Sequence, residues 1–201
     1  MCHDAVVQHQ TVFRPRSNLV IAGGLFVCIA GFTAAALASH AQPTVVLPAA
    51  AATALAVQVL FVRPRVVLAD DRVTIVNPLH TITAGWDAVT HIDAKYSVYF
   101  DIDGRRVNAW AGPAPSRYHA RSVHPAELRG LQLPQADALR AAESPRADSG
   151  VLLHLARRAQ QRFAERGVPS GVALQRTTQP GATIAALACG VTAVLVSMLH
   201  G

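Results

Sequence analysis

The sequence predicts an α+β membrane protein: a transmembrane helical hairpin, a curled antiparallel sheet capped by one helix, and a third transmembrane helix. Three observations carry this. The 201-residue chain is 51% hydrophobic and only 15% charged, whereas a soluble domain carries about 25% charged residues. Its uncharged residues collect in three runs of about the length that a bilayer core requires. Between the second and third runs the hydrophobic period changes to the alternation of strands, then back to that of one amphipathic helix.

The first run, Leu19 to Ala38 (LVIAGGLFVCIAGFTAAALA), holds no charge. A short polar link leads to the second, Val45 to Val62, which is rich in alanine and carries Pro48 and Gln58. Pro48 is expected in its first turn, where a missing N–H costs little. The third run is Ala182 to Leu199. Arg14 and Arg16 precede the hairpin, Arg63 and Arg65 follow it, and the link between its helices has no basic residue. The positive-inside rule then gives a cytoplasmic tail over residues 1–18, a hairpin over 19–62, a cytoplasmic domain over 63–180 and an anchor over 181–201. The alternative is a cleaved signal peptide, since an apolar run with "ALA" or "SHA" follows two arginines; the run is long for that purpose. No Asp, Glu, Lys, Arg or His lies inside the runs, which argues against transport. Gly23, Gly24, Gly31 and Ala186-x-x-x-Gly190 offer small surfaces for close helix packing.

From Val66 the chain alternates. VVLADDRVTIVNP reads as two strands around Asp70-Asp71, HTITAGW as a third, and Val89 to Ala94 as a fourth. Val98 to Ile102 and Arg105 to Ala111 form a hairpin about Asp103-Gly104, a pair suited to the positive φ angles of a type I′ turn. Asp101-x-Asp103 resembles a metal clamp, but the turn accounts for Asp103 without chemistry. Alternation sets Val98, Phe100 and Ile102 on one face, with Tyr99, Asp101 and Asp103 on the other.

A proline-rich segment over 113–148 follows, with a short helix expected around Pro125 to Leu131. An amphipathic helix then spans 149–166. Its apolar stripe is Val151, Leu152, Leu155, Ala159 and Phe163, with Arg157, Arg158, Arg162 and Arg166 off it, and Gly167 and Pro169 stop it.

ITAGWDAVTHID is similar to the W-x-x-[IV]-x-x-[IV] step of bacterial PH-like domains, matching at Trp86, Val89 and Ile92. DGRRVNAWAGPAPSR, with Asp103, Gly104 and Trp110, resembles the corresponding segment of actinobacterial membrane-anchored PH-domain proteins of the low-molecular-weight protein antigen 6 type. The likeness covers roughly Arg63 to Gly167. It implies a PH-like antiparallel split β-barrel capped by a C-terminal helix, and no catalytic activity. Phosphoinositide recognition would need several basic residues around the first hairpin, where this chain has Asp70, Asp71 and only Arg72.

The net charge of +6 comes from scattered arginines without the aromatic and basic stripe that binds nucleic acid. Cys2, Cys28 and Cys189 make no disulfide framework. The nine histidines show no zinc-ligand spacing, and there is no G-x-S-x-G or H-E-x-x-H motif. No cofactor or metal is implied. The expected function is a non-catalytic module holding a protein partner or anionic lipid headgroups at the cytoplasmic membrane face. Arg63, Arg65, Arg157, Arg158, Arg162 and Arg166 are the lipid-facing candidates, and the segment after Trp110 is the other contact surface. The alternatives are an accessory subunit of a larger envelope or respiratory membrane complex, and an enzyme using histidines and aspartates of the barrel rim.

Overall fold

The structure, a computed structural model, describes residues 10–94, 97–113, 147–178 and 181. The third apolar run with Gly190, the short helix expected at Pro125 to Leu131 and almost all of the proline-rich segment lie outside these residues. The chain divides into two compact units. One comprises Met1–Pro15, Arg65–Val76 and Ile82–Arg176; the other comprises Arg16–Pro64, Asn77–Thr81 and Thr177–Gly201.

In the second unit, α1 spans Arg16–Ala38 and α2 spans Pro43–Val57, continued by a π-helical turn over Gln58–Val62. Arg63 N–H closes that turn on the Gln58 carbonyl at 2.9 Å. Both helices are long and apolar enough to cross a membrane, and only 6% and 11% of their apolar windows are buried. A core helix of a soluble protein would be mostly covered. Their hydroxyls bond back one turn, Thr33 to the Ile29 carbonyl at 2.7 Å and Thr53 to the Ala49 carbonyl at 2.8 Å, which suits a solvent that offers no partner. α1 ends with His40 at φ 61°. His40 N–H bonds to the Leu37 carbonyl and Ala41 N–H to the Ala36 carbonyl, the paired pattern of a Schellman cap. α2 begins at Pro43, earlier than expected, so Pro43 takes the tolerated first position and Pro48 lies inside the helix. Near the start only one backbone bond is forfeited, so the helix continues.

The first unit is built from strands. The expected N-terminal tail contains β1 (Thr11–Phe13), which pairs antiparallel with β2 (Arg65–Leu68), with Phe13 opposite Val66. β2 pairs with β3 (Arg72–Val76) across the Asp70-Asp71 turn. With β4 (His80–Gly85) and β8 (Gln175–Thr178) they form a five-stranded sheet in the order β1-β2-β3-β4-β8. β5 (Val89–Ala94), β6 (Ser97–Ile102) and β7 (Arg105–Pro113) form a separate three-stranded sheet. The two sheets do not close into a barrel: between β4 and β5 the chain turns through a 3-10 turn, Trp86–Ala88, and β5 starts a new ladder.

The core lies between the sheets and α3 (Asp148–Arg166), the helix that carries the arginines. Val98, Phe100 and Ile102 are fully buried and Tyr99 and Asp101 are not, as alternation predicts. Trp86, Val89 and Ile92 are all buried, although residues three apart in a strand face opposite ways. A bulge between Val89 and His91 inserts one residue and turns Ile92 back to the face of Val89. The stripe of α3 is rotated from the expected one: Leu152, Leu153, Ala156 and Ala159 are buried, Leu155 and Phe163 are partly buried, and Val151 is exposed. Two adjacent leucines fit because the helix wedges between strands of both sheets. Gly167 at φ 63° caps its end.

Gly112 marks a tight approach within the core. A Cβ there would lie 2.8 Å from Leu152 Cδ2 and 3.0 Å from Val98 Cγ2. Gly112→Ala should destabilise the protein by about 1–3 kcal/mol, the usual cost of overpacking, measured as a lowered denaturant midpoint of the purified full chain by tryptophan fluorescence.

Candidate functional site

Three groups of side chains are built by this fold. The first surrounds Trp86. Its indole N–H donates to the Ala69 carbonyl at 2.9 Å and its backbone N–H to the Asp71 carbonyl at 3.3 Å. Arg72 grips Asp71 through Nη2 at 2.8 Å and Nε at 3.1 Å. Arg166 at the end of α3 donates to the Asp70 carbonyl and pairs with its carboxylate at 3.8 Å. Ser170 donates to Asp87. Gly85 leaves room for Ser170, since a Cβ there would overlap its hydroxyl. The hydrogen bond from Arg72 holds the Asp71 carboxyl below its usual range, and that from Ser170 does the same for Asp87.

The second group is the edge of β5 under α3. Arg157 Nη2 donates to the Ile92 carbonyl at 3.1 Å and Gln160 Nε2 to the Val89 carbonyl at 2.8 Å. β5 ends its sheet, and an edge strand's carbonyls are an open template for other chains. Two helix side chains occupy them here. Two of the four helix arginines expected to face lipid thus also bond within the domain. Arg157 and Arg166 serve the domain itself, while Arg158 and Arg162 are exposed and bond to no neighbour among the described residues. They lie four apart, on one helix face. Of the other two candidates, Arg65 opens β2 and Arg63 donates to the Pro78 carbonyl.

The third group is the outer face of the three-stranded sheet. The Tyr99 hydroxyl donates to Asp93 Oδ2 at 3.1 Å, and the Arg106 guanidinium lies over its ring, 4.1 Å from the centroid. His91 is 6.4 Å from the same ring, centroid to centroid. Partial burial, and then the bond to Asp93, push the Tyr99 hydroxyl up. At the far end, β7 bulges away from β6 between the pairs Tyr99–Asn108 and Ser97–Pro113. Within that bulge Ala109 and Ala111 are buried and Trp110 is 52% exposed.

Asp101 and Asp103 do not converge. Asp101 pairs with Arg106 at 3.5 Å; Asp103 and Gly104 occupy the turn at φ 48° and 73°, the two positive angles of a type I′ turn. Among the described residues no three His, Cys, Asp or Glu groups could hold a metal ion. The surfaces present hydrogen-bonding and aromatic groups suited to recognition. Gln160 and Ser170 were not visible as functional positions in the sequence: their partners are 71 and 83 residues away.

No family model, curated protein or solved structure matches this chain.

The lowered Asp71 carboxyl fixes the sign of a pH effect. A depressed folded pKa contributes stability above the unfolded value near 3.8, and that contribution is lost as pH falls through the lower folded value. Asp71→Asn should therefore flatten the acid limb of the stability curve below about pH 4. The slope between pH 6 and 8 should not change, as measured by thermal unfolding across pH.

Proposed function

We propose that the protein is a membrane-anchored, non-catalytic interaction module, with a PH-like domain that holds a protein partner at the cytoplasmic membrane face. Trp110 carries this reading. An indole about half exposed, on a strand bulge beside a polar sheet face, has the character of an interface anchor: large, rigid and amphipathic. The order of elements supports the PH-like assignment: β2-β3-β4 in one sheet, β5-β6-β7 in a second, then one helix against both. Sidedness is supported by the pairing of β1 with β2. The hairpin leaves from one strand and returns to the other through two Arg-Pro-Arg triplets, Arg14-Pro15-Arg16 and Arg63-Pro64-Arg65. On this reading two strands in one ladder share one side of the membrane, and four arginines at the boundary favour the cytoplasmic side.

The anionic-lipid alternative now rests on Arg158 and Arg162 within α3, together with the boundary arginines. At about 1 kcal/mol per basic residue near the surface, two helix residues supplement an anchor without defining a lipid specificity. The accessory-subunit reading is favoured by a different observation. Gly24 and Gly31 are exposed, and a Cβ at either would meet nothing within 4 Å. Among the described residues these glycines therefore do not serve the α1–α2 contact, and their face is free to take another helix.

One experiment separates the two readings: purification in mild detergent from native membranes, with co-purifying proteins quantified. Trp110→Ala should lose a stoichiometric partner that the parent and the Gly24→Leu/Gly31→Leu variant retain. The opposite pattern would replace the module with a subunit packed through its helices.

A further inference from the structure

The turn joining β3 to β4 carries a residue that turn chemistry does not explain. Asn77 N–H bonds to the His80 carbonyl at 2.9 Å, and Asn77 Nδ2 lies 3.3 Å from His80 Nε2, which leaves Pro78 and Leu79 as the two corner residues. Corners favour Gly, Asn, Asp, Ser and Pro, each for a backbone reason. Leucine has none of those advantages, yet Leu79 stands here 55% exposed, while Pro78 and Asn77 are buried.

The position of the turn supplies a reason. Asn77–Thr81 clusters with Arg16–Pro64, the unit that holds both apolar helices. The fastening is explicit: the Arg63 guanidinium donates to the Pro78 carbonyl. Arg63 directly follows the last apolar residue of the second candidate span, Val62. A basic side chain at the end of an apolar helix marks the headgroup level of a bilayer, its stem lying along apolar surface and its charge turned to the polar zone. Pro78 is thus tied to the residue that defines the boundary, and Leu79 is the next residue along.

We propose that Leu79 inserts into the lipid interface beside the hairpin, so that the β3–β4 turn is a separate membrane contact of the domain. The ligand is the headgroup–acyl boundary of the bilayer. The inference rests on the reading that α1 and α2 span the membrane. It adds a lipid contact at a defined residue outside the two apolar helices.

The test uses the full chain with Cys2, Cys28 and Cys189 replaced by alanine. Single cysteines are introduced by Leu79→Cys or, in mid-helix, by Val27→Cys, which is 73% exposed in α1, and each is labelled with an environment-sensitive fluorophore. The proteins are reconstituted in phosphatidylcholine–phosphatidylglycerol vesicles carrying nitroxide lipids at the headgroup, shallow-acyl or deep-acyl position. The label at position 79 should shift to the blue and be quenched most by headgroup and shallow-acyl nitroxides, with little quenching by aqueous iodide; the label at position 27 should be quenched most by deep nitroxides. Quenching at 79 by iodide alone, with deep quenching at 27, overturns the proposal and leaves the spanning helices standing. A blue shift at 79 without lipid quenching also overturns it, because protein then covers the residue. Loss of lipid quenching at both positions removes the spanning reading and the proposal together.

Discussion

The hydrogen bond from the Trp86 indole to the Ala69 carbonyl joins the turn between β2 and β3 to the corner between β4 and β5. Trp86 is 2% exposed, so neither its N–H nor that carbonyl can turn to water, and each would cost about 1–3 kcal/mol left unpaired. Once the corner is set, the remaining connections follow. The backbone N–H of Trp86 reaches the Asp71 carbonyl, Arg166 brings the end of α3 to Asp70, and Ser170 brings the chain beyond it to Asp87. β5 can then begin a second sheet instead of extending the first.

The helix covers that second sheet in two ways at once. Its apolar residues complete the core, and Arg157 and Gln160 supply donors to the open edge of β5. A charged residue on such a helix is easily taken for a surface feature. Here the same side chain protects an edge from pairing with other chains, which leaves a smaller basic surface than composition suggests. The outer sheet face leads to Trp110, where a bulge holds an indole about half exposed between two buried alanines.

The apolar hairpin has the surface of a helix pair able to cross a membrane. Its large side chains face outward, its threonine hydroxyls are satisfied by their own helices, and its link is capped so that carbonyls at the end of α1 find partners. Buried prolines, Pro15 and Pro64, mark both ends, where fixed φ angles change the chain from strand to helix and back. The β1–β2 ladder gives these ends a common origin.

Local physics was legible in the sequence. Alternation gave the buried face of β6, Asp103-Gly104 gave the turn, Gly167 gave the helix end, and the length of apolar runs gave two helices able to cross a membrane; the third run lies outside the described residues. Each depends on residues within a turn or strand of one another. β1 was missed because three residues carry too little pattern, and the stripe on α3 was misplaced because both sheets, not helical period alone, select the buried side. Tertiary structure decided which arginines are committed, since Arg157 meets β5 and Arg166 meets Asp70 across 65 and 96 residues. Spacing in the chain cannot encode such meetings. They arise because the core brings the helix to one sheet edge and one turn, where backbone carbonyls accept from the nearest donors.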